Sequence, residues 1–300
     1  MTFRGVVWIS GWVFHPDISV AGLQLQAPDG TIVELDGYGI PSPDVVDHHG
    51  EAAANSRFRC RLLMDDSDSV MDSRIYAVLS DGTRHELEDH RQRRMDADVY
   101  HRLNSRFSEE LKALPGGRVL EIGSRDRSGV VRRGLVPSHL EYLGLDIMPG
   151  DNVDIVADVH ELTKAVPAHS VEAVLGYSVF EHLLMPWKAV IEINHVLKMG
   201  GLVMLTTHQT WPVHEAPWDF WRYSDSAWHA LFNRFTGFEV VETALGSPAC
   251  VVAQTLLPST LNLDRQPAYL GSAVLTRKVS TCLLSWDVDL GSVIHTSYPQ

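Results

Sequence analysis

The sequence predicts an α/β fold in which a parallel or mixed sheet follows a small antiparallel β-sandwich. Short apolar runs separated by turn residues fill the chain up to residue 88, a pattern typical of short antiparallel strands. From residue 117 onward, apolar strand segments alternate with helical ones, which indicates a parallel sheet with crossover helices. We therefore expect a β-sandwich at residues 1–88, a linker helix at 89–116 and the α/β domain at 117–300.

Turn residues support the β-sandwich, and helical spacing supports the linker helix. Asp29-Gly30 and Asp81-Gly82 each lie between alternating segments, and Asp-Gly is a strong signal for a two-residue hairpin turn. Residues 87–114 then carry apolar side chains at helical spacing and end at a Pro-Gly-Gly sequence, which predicts one amphipathic helix.

Four apolar segments predict the strands of the α/β domain, and residues 185–198 predict a helix between the third and fourth of them. The four segments are residues 117–123, 141–147, 171–178 and 201–208.

Composition and charge exclude several function classes. The chain of 300 residues is 45% hydrophobic and 21% charged, which is ordinary for a globular protein. It carries 25 Lys and Arg against 38 Asp and Glu, and its formal charge of -13 disfavours a nucleic-acid substrate. The apolar run near the N-terminus is too interrupted for a signal peptide or a membrane span. Three cysteines without a Cys-x-x-Cys pair suit a reducing compartment, so we expect a cytoplasmic protein.

Three residues at predicted strand ends indicate a ligand site. Gly123 follows the first strand of the α/β domain, where a glycine lets the backbone approach a ligand closely. Asp146 ends the next strand, roughly 20 residues later, as expected for an acid that binds ribose hydroxyls. Asp158 also follows an apolar strand. Because open α/β sheets bind ligands at the carboxyl ends of their strands, we expect these residues to share one site.

These segments form a series with a family resemblance. The series consists of EIGS at 121–124, GLDI at 144–147, ADVH at 157–160, SVFEHL at 178–183 and VLKMGGL at 196–202. It resembles the class I S-adenosylmethionine-dependent methyltransferases in their type 11 branch, over roughly residues 95–245. The resemblance implies a Rossmann-like domain with S-adenosylmethionine as its cofactor. It further implies that Glu121 and Gly123 line the methionine moiety, that Asp146 holds the ribose, and that Asp158 with Val159 lies at the adenine. The remaining expected cofactor contacts are Ser124, Ile147, His160 and Tyr177.

The glycine-rich loop departs from the family pattern. Residues 124–129 read SRDRSG, so the second and third glycines of the usual loop are absent. A dinucleotide needs close backbone approach to its pyrophosphate at that turn, so NAD and FAD are disfavoured. S-adenosylmethionine carries no phosphate and tolerates the change. Arg125 or Asp126 either folds over the cofactor or faces solvent.

Methyl transfer to a hydroxyl needs orientation and a base, and two histidines are candidates for the base. His182 follows the fourth predicted strand and His208 follows the fifth, and imidazole has a pKa near the operating pH. His182 has an alternative role in shaping the cofactor pocket. Glu181 is expected to support a catalytic histidine, because the reaction needs no covalent intermediate.

The segment 208–223 is the candidate acceptor site. It is rich in aromatic and polar residues and contains two prolines, so it cannot form one regular helix. Indole rings beside hydrogen-bonding side chains suit a sugar ring, although a packed cover over the core would have the same composition. The predicted acceptor residues are Trp211, His214, Glu215, Trp218, Trp221 and Arg222.

A divalent cation such as magnesium is an open alternative in this segment. His208, His214, Glu215 and Asp219 offer donor atoms, and carboxylates are the preferred ligands of hard cations. No spacing among them is diagnostic, so no metal ligand is assigned.

The N-terminal half carries a second resemblance. GWV at 11–13, HPD at 15–17 and DGYGIPSPDV at 36–45 resemble a β-rich module that is fused to bacterial enzymes of surface-glycan assembly. The resemblance implies acceptor handling or dimerisation, and we expect a homodimer. Together these observations favour O-methylation of a sugar hydroxyl in a glycan or glycolipid precursor, with the mycobacterial enzymes that methylate mannose polysaccharide precursors as one kin group. The alternatives are a small-molecule O- or N-methyltransferase of specialised metabolism and a non-catalytic glycan-binding protein with a vestigial cofactor fold.

Overall fold

The computed structural model describes residues 5–64, 72–88, 99–127, 129–253, 257–260, 263, 266–296 and 298. It divides into two compact units, Met1–Arg93 and Arg94–Gln300. None of the helices within the described residues is both long enough and apolar enough to cross a membrane.

The first unit contains two small antiparallel sheets. One has the strand order β1-β5-β4 and the other β3-β2-β6-β7. A short helix, α1 (Pro43–His49), lies between the fourth and fifth strands in sequence. The strands are β1 (Gly5–Trp12), β2 (Val20–Gln26), β3 (Ile32–Leu35), β4 (Tyr38–Ile40), β5 (Arg57–Met64), β6 (Arg74–Leu79) and β7 (Arg84–Glu86).

The two sheets share one apolar core, which confirms the predicted sandwich. Leu23 and Leu25 of β2 are fully buried because alternate residues of a strand face the same side. They pack in one cluster with Phe58 and Cys60 from β5 of the other sheet.

Both predicted hairpin turns are present in the first unit. Gly30 lies between β2 and β3, and Gly82 lies between β6 and β7. Both glycines have positive φ angles, +87° and +86°, which an L-residue with a side chain rarely adopts. The aspartate before each glycine accepts a hydrogen bond from the backbone N–H two residues later, that of Thr31 and that of Thr83.

The second unit is built on one mixed sheet of seven strands, in the order β10-β9-β8-β11-β12-β14-β13. Strands β10, β9, β8, β11 and β12 run parallel, and β14 is antiparallel to both of its neighbours. This mixed sheet is the predicted Rossmann-like fold. The strands are β8 (Arg118–Ile122), β9 (Glu141–Asp146), β10 (Ile155–Val156), β11 (Val171–Tyr177), β12 (Leu197–His208), β13 (Phe238–Ala249) and β14 (Ala268–Lys278).

Helices cover the two faces of this sheet. On one face, α2 (Val99–Ala113) contributes Leu103, Phe107 and Leu111 to a buried cluster, at the four-residue spacing of an amphipathic helix. On the other face, α3 (Pro186–Val196) and α4 (Asp225–Leu231) pack into a second cluster. The segment predicted as a linker helix therefore contains a helix that packs on the sheet; residues 89–98 lie outside the described residues.

The connection between β8 and β9 differs from the expected crossover helix. Within its described residues it contains only a single 3-10 turn, Arg133–Leu135. Glycines at 129 and 134, the Val130-Val131 pair and Pro137 all disfavour a helix, because glycine and β-branched residues have low helix propensity and proline removes a donor. Only the β11–β12 connection holds a full crossover helix, α3, among the connections of the parallel strands that the structure describes.

Candidate active site

A cavity of about 330 Å³ lies at the carboxyl ends of the parallel strands. It is lined by the residues that end or directly follow β8, β9, β10, β11 and β12, as ligand sites of open α/β sheets are. From the predicted cofactor set, the lining residues are Gly123, Asp146, Ile147, Asp158, Val159 and His160. From the predicted catalytic and acceptor sets, they are His182, His208, Trp211, His214, Glu215 and Trp218.

Gly123 forms the tight turn after β8. Its φ of +74° lies in the left-handed region, and a Cβ at this position would lie 3.0 Å from the side chain of Val179. Both features favour glycine over any residue with a side chain. Ser178, which ends the neighbouring strand segment, also has a positive φ, of 51°. Backbone strain in a non-glycine residue clusters at functional sites, and here it occurs at the cavity wall.

The carboxylate of Asp146 is held in place at the end of β9. One oxygen accepts a hydrogen bond from the Arg125 backbone N–H at 3.2 Å, and the other accepts from the Met148 N–H at 2.9 Å. The side chain is 12% exposed and lines the cavity. Backbone donors on both oxygens fix the carboxylate in one orientation toward a ligand.

Asp158 and His160 form a second fixed polar group, after β10. Asp158 Oδ1 accepts from the His160 backbone N–H at 2.9 Å and lies 2.6 Å from His160 Nδ1. His160 Nε2 accepts from the Met185 backbone N–H, so the ring proton is on Nδ1. Burial by itself raises the pKa of Asp158, but the hydrogen bonds from His160 outweigh it and the pKa lies below its usual value. The carboxylate is therefore ionised at neutral pH.

Two arginines occupy the place of the missing glycine-rich loop and helix. Arg125 lines the cavity at 14% exposure, and its Nε lies 4.0 Å from Asp146 and has no hydrogen-bond partner among the described residues. Arg127 also lines the cavity and forms an ion pair with Glu215 at 2.9 Å. Of the two residues that the sequence left open, Arg125 is the one at the cavity; Asp126 accepts a hydrogen bond from the Gly129 N–H.

Three residues of the predicted cofactor set do not line the cavity. Glu121 and Tyr177 point to the face of the sheet that α2 covers: Glu121 accepts a hydrogen bond from the Tyr142 hydroxyl, and the Tyr177 hydroxyl donates to Asn104 of α2. The pKa of Glu121 is raised, because burial outweighs its contacts with Tyr142 and arginine. Ser124 is buried and donates to a backbone carbonyl, that of residue 152.

Two residues of the predicted acceptor set also lie outside the cavity lining and organise the loop instead. The Trp221 indole N–H donates to the Leu183 carbonyl at 2.7 Å. The Arg222 guanidinium donates to both oxygens of Asp219, at 2.6 and 2.7 Å. This bidentate pair holds the pKa of Asp219 far below its usual range.

Three histidines of the cavity lining meet around a buried glutamate. The ring centroids of His182 and His214 are 4.8 Å apart, and those of His208 and His214 are 5.4 Å apart. His182 Nδ1 lies 2.5 Å from the Trp218 carbonyl. Because a carbonyl only accepts, Nδ1 carries the proton and Nε2 of the neutral ring carries a lone pair.

Glu181 lies beneath the histidines and is fully buried. Its Oε2 accepts from the Thr207 hydroxyl, and its Oε1 lies 3.1 Å from His208 Nε2 and 3.9 Å from His182 Nε2. Burial by itself raises the pKa of this carboxyl, but His208 and Thr207 outweigh it and the net pKa is lowered. Glu181 is thus a buried carboxylate anion that faces two imidazole rings.

Tryptophans border the histidine cluster. The Trp211 ring stacks on His208, with centroids 4.7 Å apart and ring planes 12° apart, and is 43% exposed. Trp218 is buried, and its indole N–H donates to the Thr296 hydroxyl at 3.2 Å.

Tyr298 is a cavity residue that the sequence did not reveal. Its ring lies edge-on to His182, with centroids 5.9 Å apart, and burial raises the pKa of its hydroxyl. The C-terminal segment has no periodicity, so no local pattern marks this tyrosine as a site residue.

Comparison with known protein families gives one match, which covers part of the second unit. The type 11 methyltransferase family model, described as a methyltransferase domain, matches residues 121–205. These residues hold most of the strand ends that line the cavity. A search of curated proteins found no match.

Solved structures of low sequence identity also match the chain. An S-adenosylmethionine-dependent methyltransferase from Archaeoglobus fulgidus is 14% identical, with 59% of this chain and 94% of that chain covered and a TM-score of 0.41. The YcgJ protein from Bacillus subtilis is 16% identical, with 60% and 99% covered and a TM-score of 0.43. TM-scores this low support no inference about activity. Residues 121–205 are similar to a methyltransferase domain.

Proposed function

We propose that this protein transfers a methyl group from S-adenosylmethionine to a hydroxyl group of a sugar in a glycan or glycolipid precursor. One observation carries the proposal. A single cavity has two oriented carboxylates, Asp146 and Asp158, among its lining residues, and the same lining includes histidines and an exposed indole. The two carboxylates suit an adenosyl cofactor, and the histidines with the exposed indole suit a hydroxyl acceptor.

The residues at the strand ends fit S-adenosylmethionine. Asp146 would accept hydrogen bonds from the ribose hydroxyls, and Asp158, with Val159 and Ile147 beside it, would contact the adenine. Arg125 offers an unpartnered buried N–H that suits the carboxylate of the methionine moiety. The cavity volume of about 330 Å³ falls within the range of small-molecule sites. When bound, the cofactor supplies a methyl group activated on a sulfonium.

His182 is our first candidate for the base. Its Nδ1 proton is held by the Trp218 carbonyl, which leaves the Nε2 lone pair available. In the proposed step, Nε2 takes the proton of the acceptor hydroxyl as the oxygen forms a bond to the methyl carbon. The carbon–sulfur bond would break in the same step, giving the methyl ether, S-adenosylhomocysteine and a protonated His182. General-base catalysis of this kind contributes about 10²–10⁴-fold to a rate.

His208 is the second candidate for the base. Its Nε2 lies 3.1 Å from Glu181, a pairing that would stabilise a protonated ring. The stacked Trp211 restrains the same imidazole in one plane.

The sugar specificity is proposed from Trp211. Its indole is 43% exposed and lies at the cavity, beside a histidine. An exposed aromatic face packs on the C–H face of a sugar ring, while neighbouring imidazole and carboxylate groups bind hydroxyls.

The proposal predicts a methyl-transfer activity that depends on His182. We expect the purified protein to transfer labelled methyl groups from S-adenosylmethionine to oligosaccharides with free hydroxyls. His182→Asn should lower kcat by about 10²–10⁴-fold and leave the affinity for S-adenosylhomocysteine unchanged. His229→Asn, a surface substitution on α4, is the matched control.

Transfer to amine or carbon acceptors but to no carbohydrate would contradict the sugar assignment. Full activity of the His182→Asn variant would exclude His182 as the base and leave His208 as the candidate.

A further inference from the structure

We propose that Glu181, His208 and His214 bind one divalent transition-metal ion at the acceptor end of the cavity. The inference deepens the proposed function, and the role of the ion in the reaction rests on that function. Each of these residues offers one ligand atom, and the three atoms lie within 4.8 Å of one another. His208 and His214 line the cavity, so an ion between them would face the acceptor.

The spacing of the donor atoms suits a small ion. Glu181 Oε1 and His208 Nε2 are 3.1 Å apart. Two ligands on a tetrahedral zinc ion, with bonds of about 2.0–2.1 Å, are separated by about 3.3 Å. This pair therefore needs little movement to share an ion, and the ligand atom of His214 lies within 4.8 Å of both.

The buried carboxylate supplies an independent observation. Glu181 is fully buried, and its Oε1 lies 3.1 Å from His208 Nε2 but has no well-aligned hydrogen bond from any described residue. A buried carboxylate is costly unless it is paired, hydrogen-bonded or bound to a metal. An ion at this position satisfies Oε1 directly.

The surroundings of His214 resemble those of a metal-binding histidine. His214 Nδ1 lies 3.2 Å from the Pro212 carbonyl and 3.2 Å from Asp219 Oδ2, which fixes one tautomer. Metal-binding histidines commonly donate the other ring N–H to a carbonyl or a carboxylate in this way. Asp219 itself is occupied by the bidentate Arg222 contact, and it therefore supports His214 and does not act as a ligand.

The donor set indicates the class of ion. Two imidazoles and one carboxylate form the ligand set of several catalytic zinc sites, in which a further position stays open for water or substrate. Magnesium prefers oxygen ligands, so the set favours zinc or a similar transition-metal ion. The open position would take the acceptor oxygen, and the charge of the ion would lower the pKa of the hydroxyl group. His182, which is not among the three ligands, would then take the proton.

Calorimetric titration of chelator-treated full-length protein with zinc chloride tests the inference. We expect one zinc ion per chain with a Kd in the micromolar range or below, and no binding of magnesium chloride. His214→Asn and His208→Asn should each weaken zinc binding by about 100-fold or more, since even the loss of an outer contact costs about 10–100-fold. The surface variant His229→Asn should bind zinc as the wild type does.

A parallel titration with S-adenosylhomocysteine separates this inference from the proposed function. Loss of zinc binding in a variant that still binds S-adenosylhomocysteine supports the site, because the fold is then intact. Wild-type protein that binds S-adenosylhomocysteine but no zinc overturns the metal site and leaves the proposed function standing. Zinc binding that survives both histidine substitutions also overturns it. Should both variants fail to fold, the wild-type titration still decides, with cobalt(II) absorption of the wild type as a second readout.

Discussion

At the scale of single residues, orientation matters more than residue type. Asp146 and Glu121 are both acids in cofactor motifs, but only Asp146 lines the cavity. Successive residues of a strand face opposite sides, so Leu120 and Ile122 of β8 lie in one buried cluster while Val119 lies in the other, on the side of α2. Glu121 shares the side of Val119 and is bound there by Tyr142. Asp146 lies at a strand end, where its side chain can turn toward the ligand.

Substitution of Asp146 by alanine tests this orientation. We expect the affinity for S-adenosylhomocysteine to fall about 10–150-fold, because a hydrogen bond to a charged group is worth about 1.5–3 kcal/mol. Calorimetric titration gives the Kd, and Asp225→Ala, a surface acid on α4, serves as the control. An unchanged Kd for Asp146→Ala would remove this residue from the cofactor site.

At the scale of elements, α2 packs on the face of the sheet opposite α3 and α4. Leu103, Phe107 and Leu111 form its buried stripe, and its polar face carries ion pairs to β13 and β14. Arg102 pairs with Glu242 of β13 but is 66% exposed. The helix is thus held by apolar packing more than by its surface charges.

A pair of substitutions on α2 tests that comparison. Leu103→Ala should lower the free energy of unfolding by about 2–5 kcal/mol, because Leu103 is fully buried and its truncation leaves a cavity. Arg102→Ala should cost at most about 1 kcal/mol, as exposed ion pairs do. Chemical denaturation measures both values, and equal losses for the two variants would show that α2 is not held mainly by its buried stripe.

The β8–β9 connection explains a second difference between expectation and structure. The alternation of strands and helices predicts a helix after β8, but the segment has glycines, a proline and paired valines in place of good helix formers. The positive end of a helix dipole is therefore replaced at the cavity by the side chains of Arg125 and Arg127. The sequence marks the loss of the glycine-rich loop, but only the folded chain shows which of its charged residues faces the cavity.

At the scale of the whole molecule, local patterns predict the architecture better than they predict the site. Asp-Gly turns, helical spacing at 87–114 and the strand segments lead to the observed sheets and helix α2, because these signals are local. Gly123 and Asp158 could also be predicted as cavity residues, because each directly follows an apolar strand segment. Tyr298 and the approach of His214 to Glu181 depend on how distant segments meet, and no spacing in the chain encodes them.

An edge strand of the first unit supports the prediction of a homodimer. Strand β1 has eight residues and lies at the edge of its sheet, where among the described residues only β5 pairs with it. A long edge strand is a template for pairing with another chain. We expect size-exclusion chromatography with light scattering to give about twice the chain mass of 33.4 kDa. A purely monomeric mass would contradict the homodimer.

Calorimetric titration of the purified protein with S-adenosylhomocysteine, with NAD as the comparison, tests the central claim most directly. The cavity offers two oriented carboxylates for an adenosyl group but no G-x-G-x-x-G turn for a pyrophosphate. We expect one site per chain with micromolar affinity for S-adenosylhomocysteine and no heat of binding for NAD. Absence of S-adenosylhomocysteine binding, or equal binding of NAD, would contradict it.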